Sequence, residues 1–206
     1  STLRGHTFLI NAVAITRDGK RVLTGASDGT IRVWDARSGD ELRVLRSAAA
    51  GVWSIALAPD ERRVSVAGQG NVVQIFDLAS GQRLLTSADH IGPITSVAYS
   101  RDGTMLASAD ASGRVIVRGS KKGRPVRLPD QGGRVRQVGF SPDGRRLLTI
   151  SGSELRTWDA ASGEALSRSP LSRSSAFFFS PAGDAIAVSD ESRVVTLLDA
   201  ASLRPM

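Results

Sequence analysis

The feature that decides what this chain can become is internal repetition. The segment AVAITRDGKRVLTGASDGTIRVWDARSG (12–39) has four relatives further along. IALAPDERRVSVAGQGNVVQIFDLASG (55–81) matches it at an offset of 42, and AYSRDGTMLASADASGRVIVRGSKKG (98–123) at 84. VGFSPDGRRLLTISGSELRTWDAASG (138–163) matches at 125 and then 124, and FFFSPAGDAIAVSDESRVVTLLDAAS (177–202) at 164. Five copies with a period of about 40–42 residues mark a repeat architecture.

Each copy reads as four short strands. The first is an apolar, β-branched stretch such as IALA or VGFS. A tight turn follows: Arg17-Asp18-Gly19, Pro59-Asp60-Glu61, Arg101-Asp102-Gly103, Pro142-Asp143-Gly144, Pro181-Ala182-Gly183. Proline suits the first corner of a type I turn, and glycine the left-handed residue that closes such a hairpin. The second strand (RVLTGA, RRLLTI) leads through a turn to a third that alternates (TIRVWD, VVQIFD, ELRTWD). Ser-Gly turns at 38–39, 80–81 and 162–163 open a fourth, more polar strand. Period-2 alternation with turn signals every ~8–12 residues predicts an all-β protein.

Composition removes several kinds of chemistry. The 206 residues include no cysteine, so there is no disulfide framework, thiol nucleophile or cysteine-ligated zinc. His6 and His90 are the only histidines. No phosphate-binding glycine loop, nucleophile elbow or calcium loop is present, so no cofactor or metal is expected. No apolar run reaches the ~18–20 residues of a membrane span. The net charge of +7 comes almost wholly from arginine, and the basic residues are scattered among acids rather than massed.

Gly5-His6, Asp28 and Trp34-Asp35 resemble the signature of the WD-repeat β-propeller family, one Gly-His and one Trp-Asp per four-stranded blade. The Trp-Asp pair recurs at 158–159 and degenerates to Phe76-Asp77, Arg118-Gly119 and Leu198-Asp199. The resemblance implies five four-stranded antiparallel blades, approximately 6–47, 48–89, 90–130, 131–169, and 170–206 completed by 1–5. It also implies that His6, Thr24, Asp28 and Trp34 form a structural hydrogen-bonded tetrad, not a catalytic triad. Copy three keeps His90 and Ser108 but has Ser112 and Arg118 in the other two places; copy four keeps Thr149 and Trp158 with Gln131 for the histidine. Copies two and five have lost the set, so they are expected to rely on apolar packing alone, with blade five opening first.

In a propeller of this family the first strands line a channel, and partners dock at its mouth. The position after the first apolar residue of strand one holds Asn11, Trp53, Thr95, Arg136 and Ser175, and Phe8 lies two residues past the histidine slot. Trp and Arg are enriched at binding hot spots. Trp53, Phe8 and Arg136 are therefore expected to grip an acidic or amphipathic peptide, against the alternative that Trp53 fills a tapering channel mouth. RGSKKGRPVR (118–127) is the densest basic stretch, and Arg118, Lys121, Lys122, Arg124 and Arg127 are candidate anion contacts.

The expected function is a non-catalytic, cytoplasmic scaffold that binds a protein or peptide partner or other domains of a larger assembly. The alternatives are nucleic-acid or polyanion binding through the opposite rim, and a carbohydrate-binding propeller. The arginine- and alanine-rich composition looks bacterial. Histidine slots at 6, 48, 90, 131 and 170 return to position 6 after 206 residues. That spacing suits a closed ring of five blades, and equally an arc of a larger propeller that would self-associate.

Overall fold

The computed structural model describes residues 2–48, 50–119, 125–152, 154–171, 174–191 and 193–206, the side chains of 174 and 175 apart. Every regular element among them is a strand. Blade one is β1 (Ile10–Ile15), β2 (Arg21–Ala26), β3 (Thr30–Asp35) and β4 (Glu41–Arg46). Blade two is β5 (Val52–Leu57), β6 (Arg63–Gly68), β7 (Val73–Asp77) and β8 (Arg83–Ser87). Blade three is β9 (Ile94–Tyr99), β10 (Met105–Asp110), β11 (Val115–Gly119) and the two-residue β12 (Val126–Arg127). Blade four is β13 (Val135–Phe140), β14 (Arg146–Ser151), β15 (Glu154–Asp159) and β16 (Ala165–Pro170). Blade five is β17 (Ser174–Phe179), β18 (Ala185–Asp190) and β19 (Val195–Asp199). Each sheet is a meander in chain order, as the repeats predict for propeller blades.

The fifth blade differs from expectation. Its sheet has three strands, and residues 2–9 form no strand. The segment after β19 makes a single bridge, Leu198 to Pro205. Proline has no N–H to give to a ladder, which limits that pairing.

The turns show why the repeats read so clearly. In the first hairpin of each blade the third turn residue donates its N–H back to the last residue before the turn: Gly19 to Thr16 (2.9 Å), Gly103 to Ser100 (2.9 Å), Gly144 to Ser141 (2.8 Å) and Gly183 to Ser180 (2.9 Å). These glycines have φ between 67° and 80°. Blade two must place Glu61 there at φ 54°, a conformation that costs a β-carbon-bearing residue about 1–2 kcal/mol. Hydroxyls of Thr16, Ser100 and Ser141 donate to Asp18, Asp102 and Asp143 and lock the same corner.

The aspartate of each Trp-Asp pair closes the next hairpin. Asp35, Asp77, Asp159 and Asp199 each accept the backbone N–H of the serine three residues on, at 2.7–2.8 Å. This role survives where the tryptophan has become Phe76 or Leu198.

The chain divides into two compact units, Ser1–Val97 and Ala98–Met206. In the first, Leu23, Ile31 and Val33 of blade one pack with Val52, Val64 and Phe76 of blade two. In the second, blades three and four share a core around Val117, Val138 and Leu147, and Leu148, Ile150 and Leu155 of blade four pack on Phe177, Ile186 and Val188 of blade five. Each fully buried aliphatic side chain contributes roughly 1.5–3 kcal/mol.

Candidate functional site

In blade one, Trp34 donates its indole N–H to the Thr24 hydroxyl (2.8 Å), and that hydroxyl lies 2.7 Å from His6 Nε2. His6 Nδ1 lies 2.9 Å from an Asp28 carboxylate oxygen. A carboxylate only accepts, so Nδ1 carries a proton, and in the neutral ring Nε2 then accepts from the Thr24 hydroxyl. Burial alone would raise the Asp28 carboxyl. Hydrogen bonds from the Thr30 hydroxyl, the His6 ring and the N–H groups of Thr7 and Thr30 outweigh that and hold it far below the usual carboxylate range. Gly5 lets the His6 loop lie against the blade, because a β-carbon there would sit 3.1 Å from the Trp34 ring and run into Arg32.

This set does not present a nucleophile. The Thr24 residue is 4% exposed and the His6 side chain 3%. The Thr24 oxygen already accepts the indole proton, and every donor in the chain points inward. A reacting group needs open space beside it for substrate and for oxyanion donors.

The other blades solve the same problem differently. In blade four Trp158 donates to Thr149 (3.0 Å) and Thr149 donates to Gln131 Oε1 (3.0 Å), so an amide stands where blade one has an imidazole. In blade two the wholly buried Gln74 Oε1 accepts from the Ala48 N–H (2.7 Å) and the Ser47 hydroxyl (2.9 Å). Blade two therefore does not rely on apolar packing alone. A mid-strand glutamine supplies the acceptor that the lost histidine slot cannot. In blade three His90 and Ser108 are buried.

The expected partner column has a structural basis the sequence did not reveal. Strand one shifts register between Ile10 and Ala12, Val52 and Ser54, Val135 and Gln137, and Ser174 and Ala176. Asn11, Trp53, Arg136 and Ser175 are therefore β-bulge residues, left out of the ladder. A bulge frees a side chain from strand alternation and re-aims it. Phe8 is 68% exposed, and Trp53 and Thr95 are half-buried. Arg136 is exposed and pairs with Glu191 at 3.3 Å. Asn11 is committed to its neighbours, donating to the Ser27 hydroxyl (2.9 Å) and the Val52 carbonyl (2.8 Å). Phe8 and Trp53 belong to the first unit and Arg136 to the second. Ring pairs form at His6–Trp34 and Phe177–Phe179, and Phe8 and Trp53 are in neither. The Ser175 side chain lies outside the described residues.

Of the candidate anion contacts, Lys121, Lys122 and Arg124 lie outside the described residues. Arg118 is half-buried on β11, and Arg127 is exposed on β12 opposite Ile116, on the face that Arg118 shares.

Sequence reasoning missed two further features. Polar residues beside the bulges clamp successive blades: Gln137 donates to the Phe177 carbonyl (3.1 Å) and accepts from the Phe177 N–H (2.8 Å), and Ser54 accepts from the Val97 N–H (3.1 Å). The available signal was a polar side chain interrupting an otherwise apolar first strand. The second feature is a hollow of 320 Å³ at the hairpin-corner end of the second unit. Tyr99, Phe140 and Phe179 line it with Arg101, Pro142 and Pro181. Among the described residues no group of three or more His, Asp or Glu could hold a metal, and no helix is long and apolar enough to cross a membrane.

Comparison with known proteins agrees with the blades. The family model "WD domain, G-beta repeat" matches residues 1–35 and 81–117. Apoptotic protease-activating factor 1 of Homo sapiens is 25% identical over 79% of this chain and 14% of its own length. The Rattus norvegicus protein of the same name is 27% identical over 78% of this chain and 17% of its own. Eukaryotic translation initiation factor 3 subunit I of Danio rerio is 39% identical over 24% of this chain and 15% of its own. The chain thus spans about a sixth of the length of these relatives. These matches show what parts of the chain are similar to, and the five meanders are consistent with propeller blades.

Proposed function

We propose that this chain, whose repeats are similar to the WD domain, G-beta repeat, is a non-catalytic scaffold that holds a protein or peptide partner. The observation that carries this reading is the bulge column. The buried hydroxyls of Thr24 and Thr149 are spent on hydrogen bonds inside their own blades. Trp53 sits on a bulge that takes it out of the ladder, and Phe8 of the same unit stands 68% exposed; Arg136 sits on a bulge of the second unit. Aromatic and guanidinium groups suit an acidic or amphipathic peptide, because the rings bury apolar surface and the guanidinium pairs with carboxylates. The relatives' names place them in apoptosis and in translation initiation, and neither setting is assigned to this chain.

The test is selection of binders from a displayed peptide library, followed by titration against Phe8→Ala, Trp53→Ala and Arg136→Ala. Loss of binding in at least two of the three is expected. Undiminished binding in all three would place the partner elsewhere. The ring-lined hollow at Tyr99, Phe140 and Phe179 is the second reading, favoured by its two prolines and its arginine, and Phe140→Ala is its separate arm. For the polyanion alternative, Arg118→Ala with Arg127→Ala should weaken heparin retention and flatten its salt dependence.

A further inference from the structure

The hollow at the hairpin-corner end of the second unit is built from one repeat position in three successive blades. Tyr99, Phe140 and Phe179 are the last residues of β9, β13 and β17, and all three are half-buried. Blades one and two hold the aliphatic Ile15 and Leu57 at that position, so the rings belong to the blades that meet at this hollow. The first corner of the following turn supplies the rest of the wall, as Arg101, Pro142 and Pro181. All six residues lie in the second unit. A volume of 320 Å³ is at the small end of ligand pockets, roughly 300–1,000 Å³, and suits a few side chains of a peptide.

The serine hydroxyls of this wall are already committed to their turns. Ser141 donates to Asp143, and Ser180 donates to Asp184 while accepting the Gly183 and Ala185 N–H groups. A peptide N–H pressed against the rings would lose water and gain no acceptor from them. Proline brings no N–H. Its ring packs on aromatic faces, and a run of prolines holds the polyproline II shape before it binds. Arg101 sets the charge. It is exposed, and among the described residues no carboxylate pairs with it. Asp102 and Asp143 border an adjoining 200 Å³ hollow with Arg101, but hydroxyls and N–H groups of their own turns hold them. A guanidinium without a partner beside three rings takes a carboxylate and repels the cation that a bare aromatic cage would hold. The two aspartates in turn oppose a polyanion.

We infer that this hollow takes a proline-bearing segment of a partner protein, in polyproline II form, with one acidic side chain placed to meet Arg101. The inference rests on the reading of this hollow as a peptide site, and adds the chemistry of the peptide. It is independent of the bulge column, to which none of these residues belongs.

The probe is a peptide blocked at both ends, Ala-Pro-Pro-Glu-Pro-Ala, titrated by calorimetry against the full chain at up to about 1 mM. Beside it run one peptide with lysine for the glutamate and one with alanine for every proline. The parent peptide should bind, and each altered peptide should bind about fivefold more weakly or worse. Phe140→Ala should weaken the parent peptide. Arg101→Glu changes an exposed side chain, so the fold should survive, with far-UV circular dichroism as the check. It should reverse the charge preference, so that the lysine peptide becomes the better ligand. Equal affinity for the three peptides would overturn the proline-and-acid chemistry and leave the hollow a peptide site. Binding unchanged by Arg101→Glu and by Phe140→Ala, or no binding of any peptide, would overturn that chemistry and the reading of the hollow together. Displacement of the parent peptide by an equal concentration of oligothymidylate would overturn the inference in favour of a nucleic-acid site.

Discussion

Replacing Thr24 by Val tests whether the blade-one network is a source of stability. The two side chains have nearly the same shape, so no cavity is made. What disappears is the hydroxyl that accepts from Trp34 at 2.8 Å and donates to His6 at 2.7 Å. The indole N–H and His6 Nε2 are then left without partners in a place where water cannot reach them. Each such orphan costs about 1–3 kcal/mol, and the pair about 2–6 kcal/mol. With a urea slope of about 2 kcal/mol/M, the midpoint should fall by about 1–3 M. Far-UV circular dichroism reports the transition, and it serves equally when Trp34 is replaced. Thr24→Ser keeps the hydroxyl and should lose far less. In a Trp34→Phe background one orphan is already gone, so Thr24→Val should cost about half as much there. A Thr24→Val midpoint within experimental error of the wild type would refute the reasoning. So would a penalty unchanged by Trp34→Phe, because the indole would then not share the hydroxyl.

Further outcomes follow from the same contacts. Gln137→Leu removes both hydrogen bonds to the Phe177 backbone and should destabilise the second unit by about 1–3 kcal/mol, read by urea denaturation on Trp158. Arg193→Gly relieves a positive φ of 67° at an exposed position and should raise stability by about 0.5–1 kcal/mol after glycine's entropy cost. Asp102 is lowered to about 2 by the Ser100 hydroxyl and by the N–H and hydroxyl of Thr104, and Asp18, Asp28, Asp35 and Asp143 are lowered as well. A depressed carboxyl contributes stability that is full above its unfolded value and is lost as pH falls through the folded one. Thermal midpoints should therefore hold from pH 7 to pH 5 and drop below pH 4, and Asp102→Asn should shrink that drop. Blade five lacks a fourth strand and carries Arg193 and Leu203 at positive φ, so its amides should exchange with solvent before those of blade one.

The sequence by itself determined everything that depends on neighbours along the chain. Strand alternation, the Thr16-Asp18-Gly19 type of corner and the Asp35-to-Ser38 cap are all closed within a few residues, so their chemistry is written in order and repeats with the period. The tetrad members were legible too, since four residue types at fixed places in a repeat leave a trace that degenerates visibly from copy to copy. Tertiary structure decided what lies about 40 residues apart. Asn11 reaches the Val52 carbonyl and Gln137 grips Phe177, and each depends on how one sheet is turned against the next. The bulges that lift Trp53 and Arg136 out of the ladder were likewise invisible, because one extra residue in a strand leaves the apolar pattern nearly unchanged. The sequence shows an apolar residue at the Val13 position of every copy. Only the packed structure shows that Ile55 and Phe177 at that position are covered by the preceding blade, because burial belongs to the pair of faces and not to either strand alone.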